Sequence, residues 1–237
     1  MERRVGRARG EGPPPLRVRR LPAPRLAPAA AAHLSAIVAE AVARAGQATL
    51  ALSGGRTAGP VLACLAAEAL PWSSVRVFQV DELVAPEGDP ARHLTGLQAA
   101  LAGTGARIEP MPVTEADLEP AADAYAARLP PCLDAVHLGL GADGRTASLV
   151  PGDPVCEITD RLVAVTRPHA GYRRMTLTFP ALARAQRIVW VVSGSDKLDA
   201  LARLRRADPL IPASRVRRVG AVVLTDLPAD LLPLPAR

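Results

Sequence analysis

Lysine and aromatic side chains are scarce in this sequence. Lys197 is the only lysine among 29 basic residues, and Phe, Trp and Tyr together make up 3% of the 237 residues. The core must therefore be built mainly from Ala, Val and Leu. Surfaces that bind single-stranded nucleic acid combine cations with aromatic rings on which bases stack, so the lack of aromatic residues disfavours that function.

Cysteine and histidine are few, and their spacing is not that of a metal site. The three cysteines form no CxxC pair, and no two of the four histidines lie four residues apart. We therefore expect no metal and no cofactor, and we interpret the cysteines as reduced thiols of a cytoplasmic protein. The sequence has no secretory signal pattern and no uninterrupted apolar run of about 18 residues, so we expect no membrane span.

The excess of positive charge is confined to the start of the chain. The first 25 residues carry eight Arg and two Glu, which accounts for the whole net charge of +6. Residues 1–15 are rich in Gly, Pro and Arg, and this composition predicts a disordered basic tail. Residues 16–237 are predicted to form a single domain. Because this domain is neutral, we expect no nucleic-acid partner. Separately, we predict a monomer that binds a small molecule.

Strands alternate with helices along the chain, which predicts an α/β fold with a doubly wound, mainly parallel sheet and helices on both faces. The predicted strands are residues 16–21, 48–52, 75–80, 134–140, 161–166, 174–179, 187–192 and 221–224. The predicted helices are residues 27–45, 61–70, 94–101, 120–129, 180–185 and 196–206.

Polar or glycine-rich turns follow four of the predicted strands, and the carboxyl ends of parallel strands form one edge where ligands bind. Ser53-Gly54-Gly55-Arg56-Thr57 allows close backbone approach and leads into a helix N-terminus, which suits a phosphate. The alternative is a tight turn in which Ser or Thr caps the helix. The motif is neither GxxxxGK[ST] nor GxGxxG, so a nucleotide is not implied.

Two further turns carry charge. The single lysine, Lys197, follows the strand RIVWVV, where a compact ammonium could contact a phosphate or simply begin a helix on the surface. Asp81 and Glu82 follow the strand VRVFQV. A carboxylate there could bind sugar hydroxyls or act as a base, or it could cap the next helix.

The chain resembles the 6-phosphogluconolactonases of the wider sugar-phosphate isomerase and deaminase superfamily. The resemblance runs from about Leu16 to the C-terminus. It rests on the segments LALSGGRTAGPVLACLA, FQVDELVAP, HLGLGADGRTASLVPG, RMTLTFPAL, VVSGSDKLDAL and PASRVR, which occur in this order. The form DG.TASL.PG is closer to the lactonases than to the glucosamine-6-phosphate deaminases.

The resemblance implies a doubly wound α/β fold, hydrolysis of 6-phosphogluconolactone in the oxidative pentose phosphate pathway, and no metal or organic cofactor. It places Asp81 and the loop Gly141–Ser148 near the sugar ring. The residues that it places around the phosphate are Ser53, Gly54, Gly55, Thr57, Arg174 and Lys197.

Several positions depart from the family pattern. Arg56 replaces the second serine of SGGST, and Leu83 replaces the arginine of DER, so Arg56 is a candidate to restore the lost cation. A family Ser-Asn pair aligns with Arg92-His93. The family loop DGHTASLFPG has a histidine taken to be the base, but Arg145 occupies that position here, and Val150 replaces the phenylalanine.

Opening a lactone needs a base that activates water and a cation or donor that stabilises the oxyanion. Arginine keeps its proton at neutral pH, so Arg145 cannot be the base. It could stabilise the oxyanion, grip a carboxylate or phosphate, or pair with Asp143 in the loop. His93 is the predicted alternative base, and Asp143, Arg145 and His93 are the candidate catalytic residues.

Three functions stay open at this point. The protein is a lactonase with another base, a diverged enzyme for a different phosphorylated sugar or lactone, or a sugar-phosphate-binding protein without catalysis.

Overall fold

A computed structural model gives the structure of the protein and describes residues 14–55 and 57–228. The predicted tail falls outside the described residues except for Pro14 and Pro15, and Arg56 also lies outside them. The tail and the single domain over residues 16–237 therefore stay predictions.

The described residues form a parallel sheet of seven strands and a smaller sheet of three strands. The strands are β1 (Arg17–Arg20), β2 (Ala48–Leu52), β3 (Val75–Gln79), β4 (Asp81–Leu83), β5 (Arg107–Glu109), β6 (Leu133–Leu138), β7 (Val163–Val165), β8 (Arg174–Leu177), β9 (Ala185–Val192) and β10 (Ala221–Thr225). The large sheet has the order β1-β10-β9-β6-β2-β3-β5, and every neighbouring pair in it is parallel.

Helices cover both faces of the large sheet. They are α1 (Ala23–Ala45), α2 (Ala58–Ala66), α3 (His93–Leu101), α4 (Leu118–Arg128), α5 (Phe179–Leu182), α6 (Leu198–Arg205) and α7 (Pro212–Arg215). The first three pack on one face, and the other four pack on the opposite face together with the small sheet. The predicted fold class is confirmed.

The small sheet was not expected. Two of the predicted strands, residues 161–166 and 174–179, supply β7 and β8 of this small sheet. These strands pair with each other and with β4 in the antiparallel sense. Strands were predicted at these positions, but their separate antiparallel sheet was not, because pairing partners depend on contacts distant in sequence.

Helix α1 is long and apolar enough to span a membrane by length and composition. Its apolar stripe is nevertheless buried against the sheet, which accounts for its composition: the stripe contains Leu26, Ala30, Leu34, Val38 and Ala41. The helix ends at Gly46, whose φ of 73° closes the last turn through a bond from its amide to the Val42 carbonyl.

The order of the strands creates a crevice between β2 and β6. From β2 the chain moves outward to β3 on one side, and later adds β6 on the other side. Loops leave the carboxyl ends of these two strands in opposite directions, which is where doubly wound sheets bind ligands. The hydroxyl of Ser53, just after β2, donates to the carbonyl oxygen of His137 on β6 at 2.9 Å and fixes the floor of this crevice.

Candidate functional site

A cavity of about 230 Å³ lies at this crevice. It brings together ten of the twelve residues predicted from the sequence, namely Ser53, Gly54, Gly55, Thr57, Asp81, His93, Gly141, Arg145, Arg174 and Lys197. Asp143 does not line the cavity, and Arg56 lies outside the described residues. The four polar turns of the sequence therefore converge as the sheet topology predicts.

The glycine loop, residues 53–57, approaches the cavity with its backbone. Gly55 has a φ of 86°, which other residues rarely adopt. A Cβ atom on Gly54 would lie 2.3 Å from Cγ of His93, so only glycine fits there. Neither glycine amide donates to a backbone carbonyl in the described part of the chain, so both are available to an anion.

The side chains of the glycine loop have different roles. Thr57 precedes α2, but its side chain makes no capping hydrogen bond, so the hydroxyl is available to a ligand. The capping alternative considered for this loop is therefore not observed at Thr57. Ser53 uses its hydroxyl proton to join β2 to β6, so in this arrangement it does not offer that proton to a phosphate.

Lys197 lines the cavity from the end of a short helical turn that follows β9. Its Nζ atom is 2.6 Å from an oxygen of Asp196, and its side chain is 18% exposed against 61% for Asp196. An ion pair with so exposed a carboxylate is weak, worth about 1 kcal/mol or less. The ammonium therefore keeps most of its attraction for an anion.

Asp81 connects three elements at the centre of the site. One carboxylate oxygen accepts from the Ser148 hydroxyl at 2.6 Å, and the other lies 3.2 Å from Nδ1 of His93. Burial favours protonation of Asp81, but His93, Ser148 and Arg174 outweigh it and lower the pKa of this carboxyl. Asp81 is therefore an anion that holds the strand β4, the start of α3 and the loop before Leu149 together.

The environment of His93 disagrees with its predicted role as a base. Burial alone would lower the pKa of His93, but the adjacent Asp81 carboxylate raises it to about 9. The imidazole is therefore a cation at neutral pH, and only about one molecule in a hundred has lost the proton at pH 7. In this state His93 can donate hydrogen bonds, whereas the predicted role as a base requires the neutral ring and stays a prediction.

Glu82 takes the helix-capping role that was considered for the acidic pair. It is fully buried, and its oxygens accept from the backbone amides of His93 and Leu94, each at 2.8 Å. These two amides begin α3 and have no carbonyl partner inside the helix. The two adjacent carboxylates therefore have different roles: Glu82 caps the start of α3, and Asp81 faces the cavity.

The arginine loop, residues 141–148, is shaped by close contacts. A Cβ atom on Gly141 would lie 2.5 Å from Asp143 Oδ1 and 2.6 Å from Arg145 Cγ. Ala147 has a φ of 46°, a left-handed conformation that is strained for a residue with a side chain. The pairing considered from the sequence is present, because Nη1 of Arg145 lies 3.0 Å from Asp143.

Two arginines, Arg145 and Arg174, line the cavity. The Arg145 side chain is 43% exposed, so its pair with Asp143 is weak and the guanidinium can also contact a ligand. Arg174 is held by the carbonyl oxygens of His169 and Tyr172. Burial lowers the pKa of Arg174, Asp81 opposes this and Arg145 adds to it. The arrangement favours an anionic ligand.

Sequence reasoning missed two histidines that line the cavity. His137 was read as part of an apolar strand, and His169 was given no role. The signal for His137 was its place two residues before the glycine turn at Gly139, at the carboxyl end of a strand. His169 has no comparable signal, because its position depends on the pairing of β7 with β8. Among the described residues, no group of three His, Cys, Asp or Glu side chains could hold a metal ion.

Comparison with known proteins identifies relatives by sequence. The profile of the family described as glucosamine-6-phosphate isomerases/6-phosphogluconolactonase matches residues 22–224. A 6-phosphogluconolactonase from Synechocystis sp. is 36% identical over 203 residues, covering 78% of this chain and 84% of the relative. One from Mycobacterium tuberculosis is 36% identical over 212 residues, covering 80% and 86%.

Solved structures share the fold. A 6-phosphogluconolactonase from Thermotoga maritima superposes with a TM-score of 0.80 at 24% identity, covering 88% of this chain and 98% of that one. A monomeric glucosamine-6-phosphate deaminase gives 0.81 at 18% identity, covering 92% and 100%. The fold alone therefore does not separate the two activities. The sequence profile and the relatives at 36% identity show that the chain belongs to the glucosamine-6-phosphate isomerase/6-phosphogluconolactonase family.

Proposed function

We propose that this protein hydrolyses 6-phosphogluconolactone to 6-phosphogluconate. The observation that carries the proposal is that one cavity, in a member of this family, is lined by the glycine loop, by Lys197 and by Arg145 of the arginine loop. The sequence relatives named above are 6-phosphogluconolactonases.

The glycine loop end of the cavity holds the phosphate in this proposal. The free amides of Gly54 and Gly55, the hydroxyl of Thr57 and the ammonium of Lys197 supply donors and charge. A phosphate monoester is close to a dianion at neutral pH. Such an anion is held best by backbone amides together with a compact cation.

The arginine loop end holds the lactone in this proposal. Water attacks the carbonyl carbon, an oxyanion forms, and the ester C–O bond of the ring then breaks to give a carboxylate and a hydroxyl group. Arg145 stabilises the oxyanion, because a fixed cation at that point lowers the barrier more than it stabilises the neutral ester. Its weak pair with Asp143 leaves N–H donors for this purpose.

Water activation requires a group that accepts a proton. Arg145 keeps its proton, His93 is protonated at neutral pH, and both oxygens of Asp81 are engaged. A second partly exposed imidazole that lines the cavity is that of His169, whose side chain has no hydrogen-bond partner in the described part of the chain. We assign the proton-accepting role to His169 and a cationic, ring-orienting role to His93.

An enzyme for another sugar phosphate is the second candidate, since the same fold occurs in a deaminase. The resemblance noted from the sequence also implies that Arg145 stands where the lactonase loop has a histidine. A binding protein without turnover is the third. Both of these candidates retain the end of the cavity that holds the phosphate, and they differ from the lactonase at the end that holds the sugar ring.

The test is lactone hydrolysis by the purified full-length protein in a pH-stat, where each turnover releases one proton from the new carboxylic acid. The spontaneous rate is subtracted. We expect a rate that is proportional to the protein concentration, and a loss of about 100-fold or more in kcat for His169→Gln if it is the base. Ammonia release from glucosamine 6-phosphate without lactone hydrolysis would instead identify the second candidate. Binding of 6-phosphogluconate with neither reaction would identify the third.

We also infer a cytoplasmic monomer that has neither a nucleic-acid nor a membrane partner. The support is the confinement of net charge to the first 25 residues and the burial of the apolar stripe of α1. Light scattering after size-exclusion chromatography would check the oligomeric state.

A further inference from the structure

The imidazole of His137 is buried without a partner. His137 is 1% exposed, and neither nitrogen of its ring has a hydrogen-bond partner among the described residues. The other buried polar side chain of β6, Asp134, bonds to Thr49 and Arg44 and is thereby explained. Buried polar groups are nearly always paired, so two unpaired nitrogens on one ring call for a structural reason.

The strand places this ring next to the proposed phosphate end. Side chains alternate along β6: Val136 and Leu138 belong to the core that contains α4, whereas Ala135 packs with α1 and α2. His137 therefore lies on the face that α2 covers. Its carbonyl is bound by Ser53, the first residue of the glycine loop, and His137 lines the same cavity as Gly54 and Thr57.

The ring is neutral when the cavity holds no anion. Burial lowers the pKa of His137 to about 4, and no charged group contributes to this change. The charged groups that line the cavity from the surrounding elements are Lys197, Arg145, Arg174, His93 and Asp81. The cations outnumber the one carboxylate, so nothing in the protein itself favours a proton on His137, whereas a bound phosphate dianion would.

We propose that His137 is a further ligand of the phosphoryl group, which donates an N–H to a phosphoryl oxygen and takes up one proton from solvent as the dianion binds. This inference rests on the proposed function, because that proposal places the phosphate above the glycine loop. The role is one of substrate binding, and it distinguishes phosphorylated from unphosphorylated sugar acids.

The test is calorimetric titration of 6-phosphogluconate and of gluconate into the full chain at pH 7.5, in two buffers that differ in ionisation enthalpy. We expect wild-type protein to take up protons with 6-phosphogluconate and not with gluconate. His137→Leu should weaken 6-phosphogluconate binding about 10- to 100-fold, the range for a hydrogen bond to a charged group. It should also abolish the proton uptake.

Two variants guard against trivial explanations. His33→Gln, on the exposed side of α1, is the matched control and should bind like wild type. In His137→Gln the side-chain amide can still donate a hydrogen bond but does not titrate. This variant should therefore bind 6-phosphogluconate more tightly than His137→Leu but show no proton uptake. Thermal melting checks that each variant is folded.

The possible failures are distinguishable. If wild-type protein does not bind 6-phosphogluconate at all, the proposed function is overturned and this inference with it. If 6-phosphogluconate binds but the affinity and proton uptake are the same in His137→Leu, only this inference is overturned.

Discussion

Replacing Asp81 by Asn should release the proton that His93 holds at neutral pH. The carboxylate lies 3.2 Å from Nδ1 of His93 and is buried with it. The pKa of the imidazole rises from 6.5 to about 9 in the folded protein. At about 1.4 kcal/mol for each tenfold change in proton affinity, this corresponds to a net interaction of about 3 kcal/mol that favours the charged ring.

The sign of the effect on stability follows from linkage. His93 has a higher pKa in the folded than in the unfolded chain, so its contribution is fully present below pH 6.5 and is lost as the pH rises through about 9. The contribution of Asp81 has the opposite sense. Its pKa is lowered, so it is present above the ordinary value of 3.8 and lost as the pH falls through the lower folded value.

The assay is urea unfolding at pH 6.5 and at pH 9 for wild type, Asp81→Asn and His93→Gln. Between pH 6.5 and pH 9 the free energy of unfolding of the wild-type protein should fall by up to about 3 kcal/mol more than that of either variant. The other titrating groups are common to all three proteins, so their contribution cancels in this comparison. NMR of the four histidine rings should show His93 titrating near pH 9 in wild type. In Asp81→Asn it should titrate well below 9, because the carboxylate that opposes the effect of burial is lost and only the backbone carbonyl of residue 81 and Glu82 still raise the pKa. Equal pH dependence in all three proteins, or a wild-type His93 that titrates near 6.5, would refute the reasoning.

Three further outcomes follow from the site. Gly54→Ala should destabilise the protein, because the added Cβ would overlap His93. Gly59→Ala lies in α2, where the added Cβ meets no atom within 4 Å, so this variant should be neutral or more stable by up to about 1 kcal/mol. Thermal melting compares the two variants, and an equal effect on stability would contradict the packing at Gly54. Lys197→Ala should weaken 6-phosphogluconate binding by about tenfold or more, measured by calorimetry, and an unchanged affinity would place the phosphate elsewhere. Arg145→Ala should lower kcat for the lactone with little change in 6-phosphogluconate binding, as expected of a group that acts on the oxyanion. If product affinity falls as much as kcat, Arg145 instead grips the carboxylate.

Most elements of the large sheet could be predicted because they depend on local sequence. The run ATLAL at residues 48–52 was assigned to its exact limits, since five residues buried on both faces must be apolar throughout and polar turns bound them. The ends of helices were less certain: α1 begins at Ala23 rather than at residue 27, because prolines are tolerated in a first turn.

Two of the short strands, β4 and β5, could not be predicted, for a physical reason. Asp81–Leu83 is a strand only because it pairs with β8, more than 90 residues later, and Arg107–Glu109 is one only because it adds to the edge at β3. Three residues carry too little periodicity to specify a strand by themselves.

The sequence by itself determined the family, the class of fold and the chemistry available at the sheet edge, because glycine turns, a single lysine and charged loops follow apolar strands in a fixed order. Only the tertiary structure decided what each ionisable group does. Asp81 makes His93 a cation, exposure leaves Arg145 only weakly paired, and burial keeps His137 neutral beneath the glycine loop. These states depend on distances and solvent access between segments far apart in the chain, and charge interactions and desolvation act through space rather than along the sequence.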